Sequence, residues 1–333
     1  MTQDQTNTDF TVRAEGFDII GDIHGHADAL VALLDRLGYA NERGTWSHPV
    51  RRAIFVGDLI DRGPKQRETC EIVKSMLDAG HAALCIGNHE LNAVAYSTMG
   101  RDGRYLRPHN NKNIKQHASF IKEYPEGSED HHEVISWFKS LPLWLELETT
   151  HGHRAHVIHA CWDSSAIDRL IPYLQLCERG YVLGQSFDHE LFTSGTEAFE
   201  LVERLLKGPE MTMPEGAYFL DKSGHRRTQS RIAWWKPGQT WAESGVFGVG
   251  QDRIFGIELS EPLPEPVEVI YRGEEPVFFG HYWMKKEYGL PSPKTACTDW
   301  SIAKRGRLAA YRWDGEQTLS EEKFVSVSHE ELR

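Results

Sequence analysis

The chain places side chains that bind divalent metals at the ends of five short apolar runs. The runs lead into GDIHGH at 21–26, GDLIDRG at 57–63, GNHE at 87–90, His159-Ala160 and Gly280-His281. The side chains concerned are Asp22, His24, Asp58, Asn88, His159 and His281. Because residues two apart on an extended chain face the same way, Asp22 and His24 are expected to hold one ion together. A set that mixes carboxylate, imidazole and amide oxygen predicts a site for Mn, Fe or Zn rather than Mg or Ca.

The apolar runs that must position these side chains alternate with helical patterns in the first part of the chain. The runs at 17–20, 53–56 and 82–86 have the length of strands, and leucines at helical spacing follow the first of them at 30–37. This alternation indicates βαβ units and a sheet covered by helices. Ligands of open α/β sheets lie beyond the carboxyl ends of the strands, so we expect the motifs to meet there.

Outside these units the sequence predicts a tail, a loop and a terminal hairpin. Residues 1–16 are polar and are expected to be a flexible tail, with 17–333 forming a single domain. The acidic stretch EGSEDHHE at 126–133 is expected to be an exposed loop. The stretch 295–318 is expected to form a hairpin, because its Asp-Gly pair is a turn signal.

A long segment separates the strands expected at 156–158 and 276–280. It is longer than a simple connection between two strands requires. We therefore expect a helical insertion or cap over the site at about 163–245, with helices at 167–184 and 196–208.

Composition narrows the classes of function. The 333-residue chain has a formal net charge of −12, which opposes general nucleic-acid binding because that needs Lys and Arg to displace counterions. No apolar run approaches the roughly 20 residues that span a bilayer, and the N-terminal stretch lacks the features of a secretory signal. The chain has 5 cysteines without a CxxC pair, which fits a reducing, cytoplasmic location.

The five motifs together resemble those of the calcineurin-like metallophosphoesterases. The resemblance extends from about residue 17 to the end of the chain, and it implies a four-layer αββα sandwich of two mixed sheets flanked by helices. It also implies two divalent or transition-metal ions between the sheets, manganese in the first place, with Fe, Zn, Ni or Co as alternatives. The first ion would be held by Asp22, His24 and Asp58, and the second by Asp58, Asn88, His159 and His281, so that Asp58 bridges.

One departure indicates a branch of that family. The phosphodiesterase and nuclease branches end in GHxH, whereas this chain has GHYW, with Trp283 in place of the second histidine. Together with Asp61-Arg62-Gly63, this resembles the phosphoprotein-phosphatase branch and its bacterial relatives, including the symmetrical diadenosine tetraphosphatases. His26 stands where eukaryotic protein phosphatases have Gln, so we expect it at the helix start or behind the metal ligands.

The resemblance assigns the catalytic roles. A hydroxide bridging the two ions would attack phosphorus in line with the leaving oxygen. Arg62 would bind the non-bridging phosphate oxygens, and His89, held by Asp61, would protonate the leaving alkoxide. Glu90 is expected either behind the ligands or at the helix start.

Asn88 and a second arginine are expected to contribute to phosphate binding. Arg231 lies just before an apolar, strand-like segment and resembles the position that bacterial relatives use. Arg226 and Arg227 compete with it for this role.

The sequence thus predicts a cytoplasmic, dinuclear-metal phosphoester hydrolase, in the first place a phosphomonoesterase. The alternatives are a nucleotide pyrophosphatase that resembles bis(5'-nucleosyl)-tetraphosphatases, a serine/threonine phosphoprotein phosphatase, and a non-catalytic metal-binding module. The expected partner is a phosphorylated small molecule, a nucleotide or a phosphopeptide, with no membrane; the oligomeric state is left open.

Overall fold

The computed structural model describes residues 10–178, 180–183, 189–220, 224–245, 248–267, 270–284 and 290–332. Two five-stranded sheets are formed by β1 (Val12–Ala14), β2 (Gly16–Ile20), β3 (Arg51–Phe55), β4 (Ala82–Leu84), β5 (Trp144–Thr149), β6 (Arg154–Ile158), β7 (Val277–Phe279), β8 (Thr295–Cys297), β9 (Arg307–Trp313) and β10 (Phe324–Ser328). The helices are α1 (Ala27–Leu37), α2 (Gln66–Asp78), α3 (Asn88–Ser97), α4 (Asn111–Glu123), α5 (Glu129–Lys139), α6 (Ser164–Leu170) and α7 (Glu197–Lys207).

Both sheets are mixed. The first has the strand order β10-β9-β2-β3-β4, in which β2, β3 and β4 are parallel and β9 and β10 are antiparallel to their neighbours. The second has the order β1-β5-β6-β7-β8, in which β6, β7 and β8 are parallel and β5 and β6 are antiparallel. The parallel strands of each sheet therefore lie next to one another and present their carboxyl ends at one edge.

Alternating side chains of these strands fill two different layers of core. Phe17, Ile19 and Ile54 pack with Val157 and Phe278 of the opposite sheet, so these residues form the layer between the sheets. The intervening side chains of the same strands pack instead with the buried faces of the helices. Because successive side chains of a strand point to opposite faces, both faces of each sheet are covered, and the predicted αββα sandwich is confirmed.

Helix α1 shows how the sequence builds the outer layers. Its buried residues include Leu30, Leu33, Leu34 and Leu37, three or four apart, so they form one face of the helix. The helix ends at Gly38, whose φ of 88° closes it in the left-handed conformation that glycine adopts readily.

Residues 12–14 of the expected tail form a strand rather than a flexible segment. Val12–Ala14 pairs in parallel with Leu147–Thr149 at the edge of the second sheet, and Gly16 already belongs to β2. Backbone pairing orders this polar segment even though it has little apolar surface to bury. Residues 1–9 lie outside the described residues.

The segment between β6 and β7 is mixed in structure, not helical. The helix predicted at 196–208 is confirmed as α7, but only the start of the one predicted at 167–184 exists: α6 ends at Leu170, and Pro172 lies in a 3₁₀ turn that follows. Proline cannot donate the hydrogen bond that would continue an α-helix. The remaining described elements include the short strands Gln175–Cys177, Gly180–Val182, Glu210–Thr212, Tyr218–Leu220, Arg226–Arg227, Gln229–Arg231, Gly238–Thr240, Ile254–Phe255 and Pro262–Val267.

Two further predictions from local pattern were wrong. The predicted terminal hairpin has other bounds than 295–318: β8 joins the second sheet, whereas β9 and β10 pair antiparallel in the first sheet on either side of Asp314-Gly315. The expected acidic loop at 126–133 contains the start of α5, for which Ser128 is the N-cap, and His131 is buried. Along the described stretches, no helix is both long and apolar enough to cross a membrane.

Candidate active site

The motif side chains meet where the carboxyl ends of β2, β3, β4, β6 and β7 lie side by side. Several of them are in the left-handed region of the backbone map, which non-glycine residues rarely adopt: φ is 49° at His24, 52° at Asp58 and 65° at His281. Such strain persists only where the surrounding structure imposes it, and it concentrates at functional sites. The turns that follow the strands are therefore shaped to aim these side chains at one place.

Asp58 lies at the centre of this cluster. Two groups of potential ligand atoms, each within 4.8 Å of one another, share its carboxylate: one includes His24 and His89, and the other includes His159 and His281. The Asp58 carboxylate also accepts a hydrogen bond of 2.9 Å from the backbone N–H of His89. Two sets of imidazoles thus share a single carboxylate, and the bridging of two ions by Asp58 that the resemblance implies stays a prediction.

The position of the proton on the His159 ring indicates that a cation belongs between this ring and the side chains of Asn88 and Asp58. Its Nδ1 donates to the carbonyl oxygen of Val56 at 2.7 Å, and burial lowers the pKa of the ring. In the neutral ring Nε2 is then a bare acceptor, yet it lies 3.1 Å from Oδ1 of Asn88 and 3.4 Å from Oδ1 of Asp58. Hydrogen-bond acceptors that point at one another are stabilised when a cation lies between them. The ligand atoms of this cluster therefore fit a metal ion.

His24 and His281 each present a further bare nitrogen. The Nδ1 of His24 donates to the carbonyl oxygen of Ile60 at 2.9 Å, and burial lowers its pKa to about 3. The Nδ1 of His281 lies 2.8 Å from Oδ1 of Asn88. The Nε2 atoms of both rings are buried and have no hydrogen-bond partner among the described residues. Orphaned buried acceptors are rare, and metal binding explains them here.

Asp22 lies beside these groups and is hydrogen-bonded to the backbone of His281. Its two oxygens accept hydrogen bonds of 3.2 and 3.1 Å from the backbone N–H of His281. Burial and the charges of Asp299 and Asp58 raise its pKa. The argument that Asp22 and His24 face the same way fails, because β2 ends at Ile20 and His24 lies in a left-handed turn. Joint binding of one ion by these two residues stays a prediction.

Glu90 fixes the turn that carries Asp58. Its carboxylate accepts hydrogen bonds from the backbone N–H groups of Asp58 and Leu59, both at 2.8 Å, and of Gly87 at 3.0 Å. Burial and the charge of Asp58 raise its pKa to about 7. Both positions expected for Glu90 are therefore present. Its bond to Gly87 caps the start of α3, and its bonds to Asp58 and Leu59 hold the backbone of the potential metal ligand Asp58.

A carboxylate between two histidines lies next to the cluster. The Nδ1 of His89 donates to Asp61 at 2.5 Å, and the Nδ1 of His117 donates to the other oxygen at 3.0 Å. Burial alone would raise the pKa of Asp61, but these two hydrogen bonds outweigh it and hold the pKa well below its ordinary value. The ionised carboxylate fixes the orientation of His89, whose Nε2 faces the cluster 3.8 Å from Asp58.

Arg62 reaches the same place from the exposed side. Its Nη2 lies 3.3 Å from Nε2 of His89, and its guanidinium carbon lies 4.6 Å from the centre of the Trp283 ring. Trp283 thus offers a ring at the position for which the resemblance implies a ligand histidine in the GHxH branches. This ring supports the arginine that was predicted to bind phosphate.

Of the three candidate arginines, Arg231 has a charge that acts on the cluster. Its charge contributes to lowering the pKa of His281, after burial, and its guanidinium lies 5.9 Å from the ring centre of Tyr282. Arg226 and Arg227 are exposed on a short strand, where Arg226 packs 4.0 Å from the ring of Tyr218. His26 is at the N-cap position of α1, as expected for a helix-start residue.

Two residues of the site were not anticipated. His117 lies on α4, which follows no motif, and nothing in its sequence neighbourhood distinguishes it from a surface histidine. Asp299 is buried, and it accepts hydrogen bonds from the backbone N–H groups of Trp283 at 2.8 Å and Ser301 at 3.0 Å. The spacing of Asp299 and Ser301 could have predicted a turn in which the carboxylate accepts from the backbone. It could not have predicted that Asp299 is buried beside this site.

Comparison with known proteins agrees with this geometry. The sequence profile described as calcineurin-like phosphoesterase matches residues 17–178, so the matched range ends earlier than the resemblance predicted. An asymmetrical bis(5'-nucleosyl)-tetraphosphatase of Halalkalibacterium halodurans is 38% identical over 126 residues, covering 38% of this chain and 48% of its own. A symmetrical bis(5'-nucleosyl)-tetraphosphatase of Marinomonas is 29% identical over 147 residues, covering 44% and 45%.

The similarity in structure extends further along the chain. A cold-active protein tyrosine phosphatase has a TM-score of 0.50 at 17% identity, with 96% of this chain and 80% of the other covered, so the two share a fold. The alignments span about half the length of the two curated relatives, 48% and 45%. The matching profile and the sandwich fold together make residues 17–178 of this chain similar to the calcineurin-like phosphoesterase family.

Proposed function

We propose that this protein is a metal-dependent hydrolase of phosphate esters. The observation that carries the proposal is the position of Asp58, whose carboxylate is common to two groups of ligand atoms. His24 would contribute to one ion and His159, His281 and Asn88 to the other, with Asp22 beside them. Bound metal ions would supply Lewis-acid activation of water and of the phosphoryl group.

Arg62 would bind the phosphate at this centre. Its guanidinium offers a planar pair of N–H donors, which suits two non-bridging phosphate oxygens and the charge that develops there in the transition state. Arg231 would add a second cation from the side of His281. The two arginines come from different parts of the chain and would orient the phosphate between them.

His89 would donate a proton to the leaving oxygen. Its Nε2 faces the cluster, while Nδ1 donates to Asp61, so the ring is held with one nitrogen directed at the substrate position. Asp61 would stabilise the imidazolium form and keep the ring in one orientation, as a carboxylate behind a general acid does.

Phosphomonoesters are the substrates that we favour. Arg62 lies on the Trp283 ring, where it can meet the two negative charges of a monoester, and a diester carries one charge fewer. A nucleotide pyrophosphatase is the second candidate, because both curated relatives described above are named bis(5'-nucleosyl)-tetraphosphatases. Protein phosphatase activity is a third candidate.

Manganese as the bound metal and a cytoplasmic location are further parts of the proposal.

A substrate panel tests this function. The purified chain with Mn²⁺ would be assayed against p-nitrophenyl phosphate, a mononucleotide, a phosphopeptide, diadenosine tetraphosphate and a diester, compared by kcat/KM. We expect hydrolysis that EDTA abolishes and Mn²⁺ restores. Hydrolysis that persists unchanged in EDTA, or none with any phosphate ester, would refute the proposal.

A further inference from the structure

An arginine of the loop between α3 and α4 lies beside the helices that carry and orient His89. The guanidinium of Arg107 donates to Oδ1 of Asn92 at 2.7 Å and to Oε1 of Gln116 at 3.2 Å. Asn92 follows His89 by three residues on α3, so these two side chains lie on the same side of that helix. Gln116 is on α4, next to His117. Arg107 therefore lies on the side of the site where the proposed function places the leaving group.

The charge of Arg107 is held by neutral groups. Both of its acceptors are amides, and among the described residues no carboxylate lies within ion-pair distance of the guanidinium. Burial lowers the pKa of Arg107, and the charges of Asp61 and Glu203 oppose this shift, so both carboxylates are near it. Asp61 already accepts from two histidines, however, and Glu203 pairs with Lys207. A guanidinium has more N–H donors than two bonds use, so this half-buried cation can bind a further anion.

The loop that carries Arg107 is held in one shape. The His109 ring stacks between those of Tyr96 and Tyr105, with ring centres 3.7 and 4.0 Å apart, and its Nε2 donates to the carbonyl oxygen of Tyr96 at 2.9 Å. The backbone N–H of Arg107 donates to the carbonyl oxygen of Ala95 at 3.0 Å, which ties the loop to α3. Because the loop is already ordered, binding of a ligand group at Arg107 would lose little conformational entropy.

We propose that Arg107 binds a carboxylate carried by the leaving group of the substrate. The proposed function assigns the phosphoryl group to Arg62, Arg231 and the metal ions, so an anion at Arg107 belongs to the departing part. The planar guanidinium matches a planar carboxylate. The two carboxylates nearby repel a singly charged group less than a doubly charged phosphate. The substrate class is then phosphate esters of hydroxy acids. This inference rests on the proposed function, because that function places the leaving oxygen at His89.

The test compares phosphate esters of a short and a long hydroxy acid with those of the corresponding neutral amides, by kcat/KM with Mn²⁺ present. Arg107→Gln removes the charge, and Arg104→Gln removes an equal charge from an exposed position of the same loop, as the matched control. We expect the wild type to prefer the acids, and Arg107→Gln to reduce that preference about tenfold or more, as loss of a charge-assisted hydrogen bond does. Arg104→Gln should change it by no more than about twofold. Arg107→Lys keeps the charge and should keep part of the preference.

A wild type without preference for the acids would overturn the inference, and so would the same loss of preference in Arg104→Gln. An equal loss on acids and amides in Arg107→Gln would show that Arg107 only joins α3 and α4. The ester p-nitrophenyl phosphate, whose leaving group has no carboxylate, reports the proposed function separately. If it is hydrolysed but the acids are not preferred, the function stands and the role of Arg107 fails. If the wild type hydrolyses no ester, the function fails, and calorimetric binding of the acid and amide esters to the same proteins decides the role of Arg107.

Discussion

His117 and Asp61 are joined by a hydrogen bond of 3.0 Å, from Nδ1 of the imidazole to Oδ1 of the carboxylate, across 56 residues of sequence. The other oxygen of Asp61 accepts from His89. His117 itself is buried and packs against the rings of Phe120 and Tyr96. Asp61 is therefore fixed from a helix outside the motifs, and the orientation of His89 depends on that helix.

His117 should act as a positioning residue for His89. Replacing His117 with Phe keeps a ring in the apolar packing but removes the donor, so Asp61 can rotate away from His89. We expect kcat to fall about tenfold, with little change in KM or metal content, and with the largest loss on substrates that have poor leaving groups. Steady-state kinetics on aryl and alkyl phosphates, together with metal analysis, measure this.

His131→Phe is the matched control, since His131 is also buried and packs near Phe120 but makes no described contact with Asp61. If the two variants lose activity equally, and equally on good and poor leaving groups, then His117 contributes only to stability.

His89→Ala should keep its metal and lose rate. General acid catalysis contributes about 10²–10⁴-fold, and the need for it is greatest when the leaving group is a strongly basic alkoxide. The loss should therefore be large with alkyl phosphates and small with p-nitrophenyl phosphate. Full wild-type activity of this variant on alkyl phosphates would exclude His89 as the acid.

Glu90→Ala should destabilise the folded protein. The change leaves three buried N–H groups, those of Asp58, Leu59 and Gly87, without their acceptor. An unsatisfied buried donor costs about 1–3 kcal/mol, so we expect a loss of about 3 kcal/mol or more in the free energy of unfolding. Glu90→Gln keeps a carbonyl oxygen and should lose less. Urea denaturation of both variants measures the difference, and equal stability of Glu90→Ala and wild type would contradict this role.

The preference between esters follows from the ring of Trp283. Arg62 is held on that ring, and Trp283 stands where a ligand histidine would otherwise be. A doubly charged monoester should therefore be hydrolysed with a higher kcat/KM than a diester. Parallel assays with p-nitrophenyl phosphate and bis-p-nitrophenyl phosphate decide this. Faster turnover of the diester would show that the inference from Trp283 is wrong.

The strand ends could be predicted from sequence because their signals are local. Each run of apolar residues is followed at once by glycine or by the ligand itself, as at Gly57-Asp58 and His159, and parallel strands bring their ends to one edge. The same reasoning found helix α7, whose apolar residues repeat at helical spacing and which begins at the N-cap Thr196.

The features that were missed or wrongly predicted depend on contacts between distant segments. His117 reaches Asp61, and Asp299 holds Trp283, through tertiary packing that leaves no trace in the neighbouring residues. The placement of β8 and β9 in different sheets is likewise a choice between pairing partners, which a turn signal at Asp314-Gly315 does not determine. At His24 a left-handed turn replaced the extended chain assumed for it.

The most direct test of the account is the metal content and activity of Asp58→Asn, because Asp58 is shared by both ligand groups. Asp168→Asn, an exposed residue of α6, serves as the control. We predict that the wild type and the control bind two equivalents of metal and hydrolyse phosphate esters, and that Asp58→Asn loses both properties together. An Asp58→Asn protein that folds, lacks metal and still hydrolyses phosphate esters at the wild-type rate would contradict the central claim.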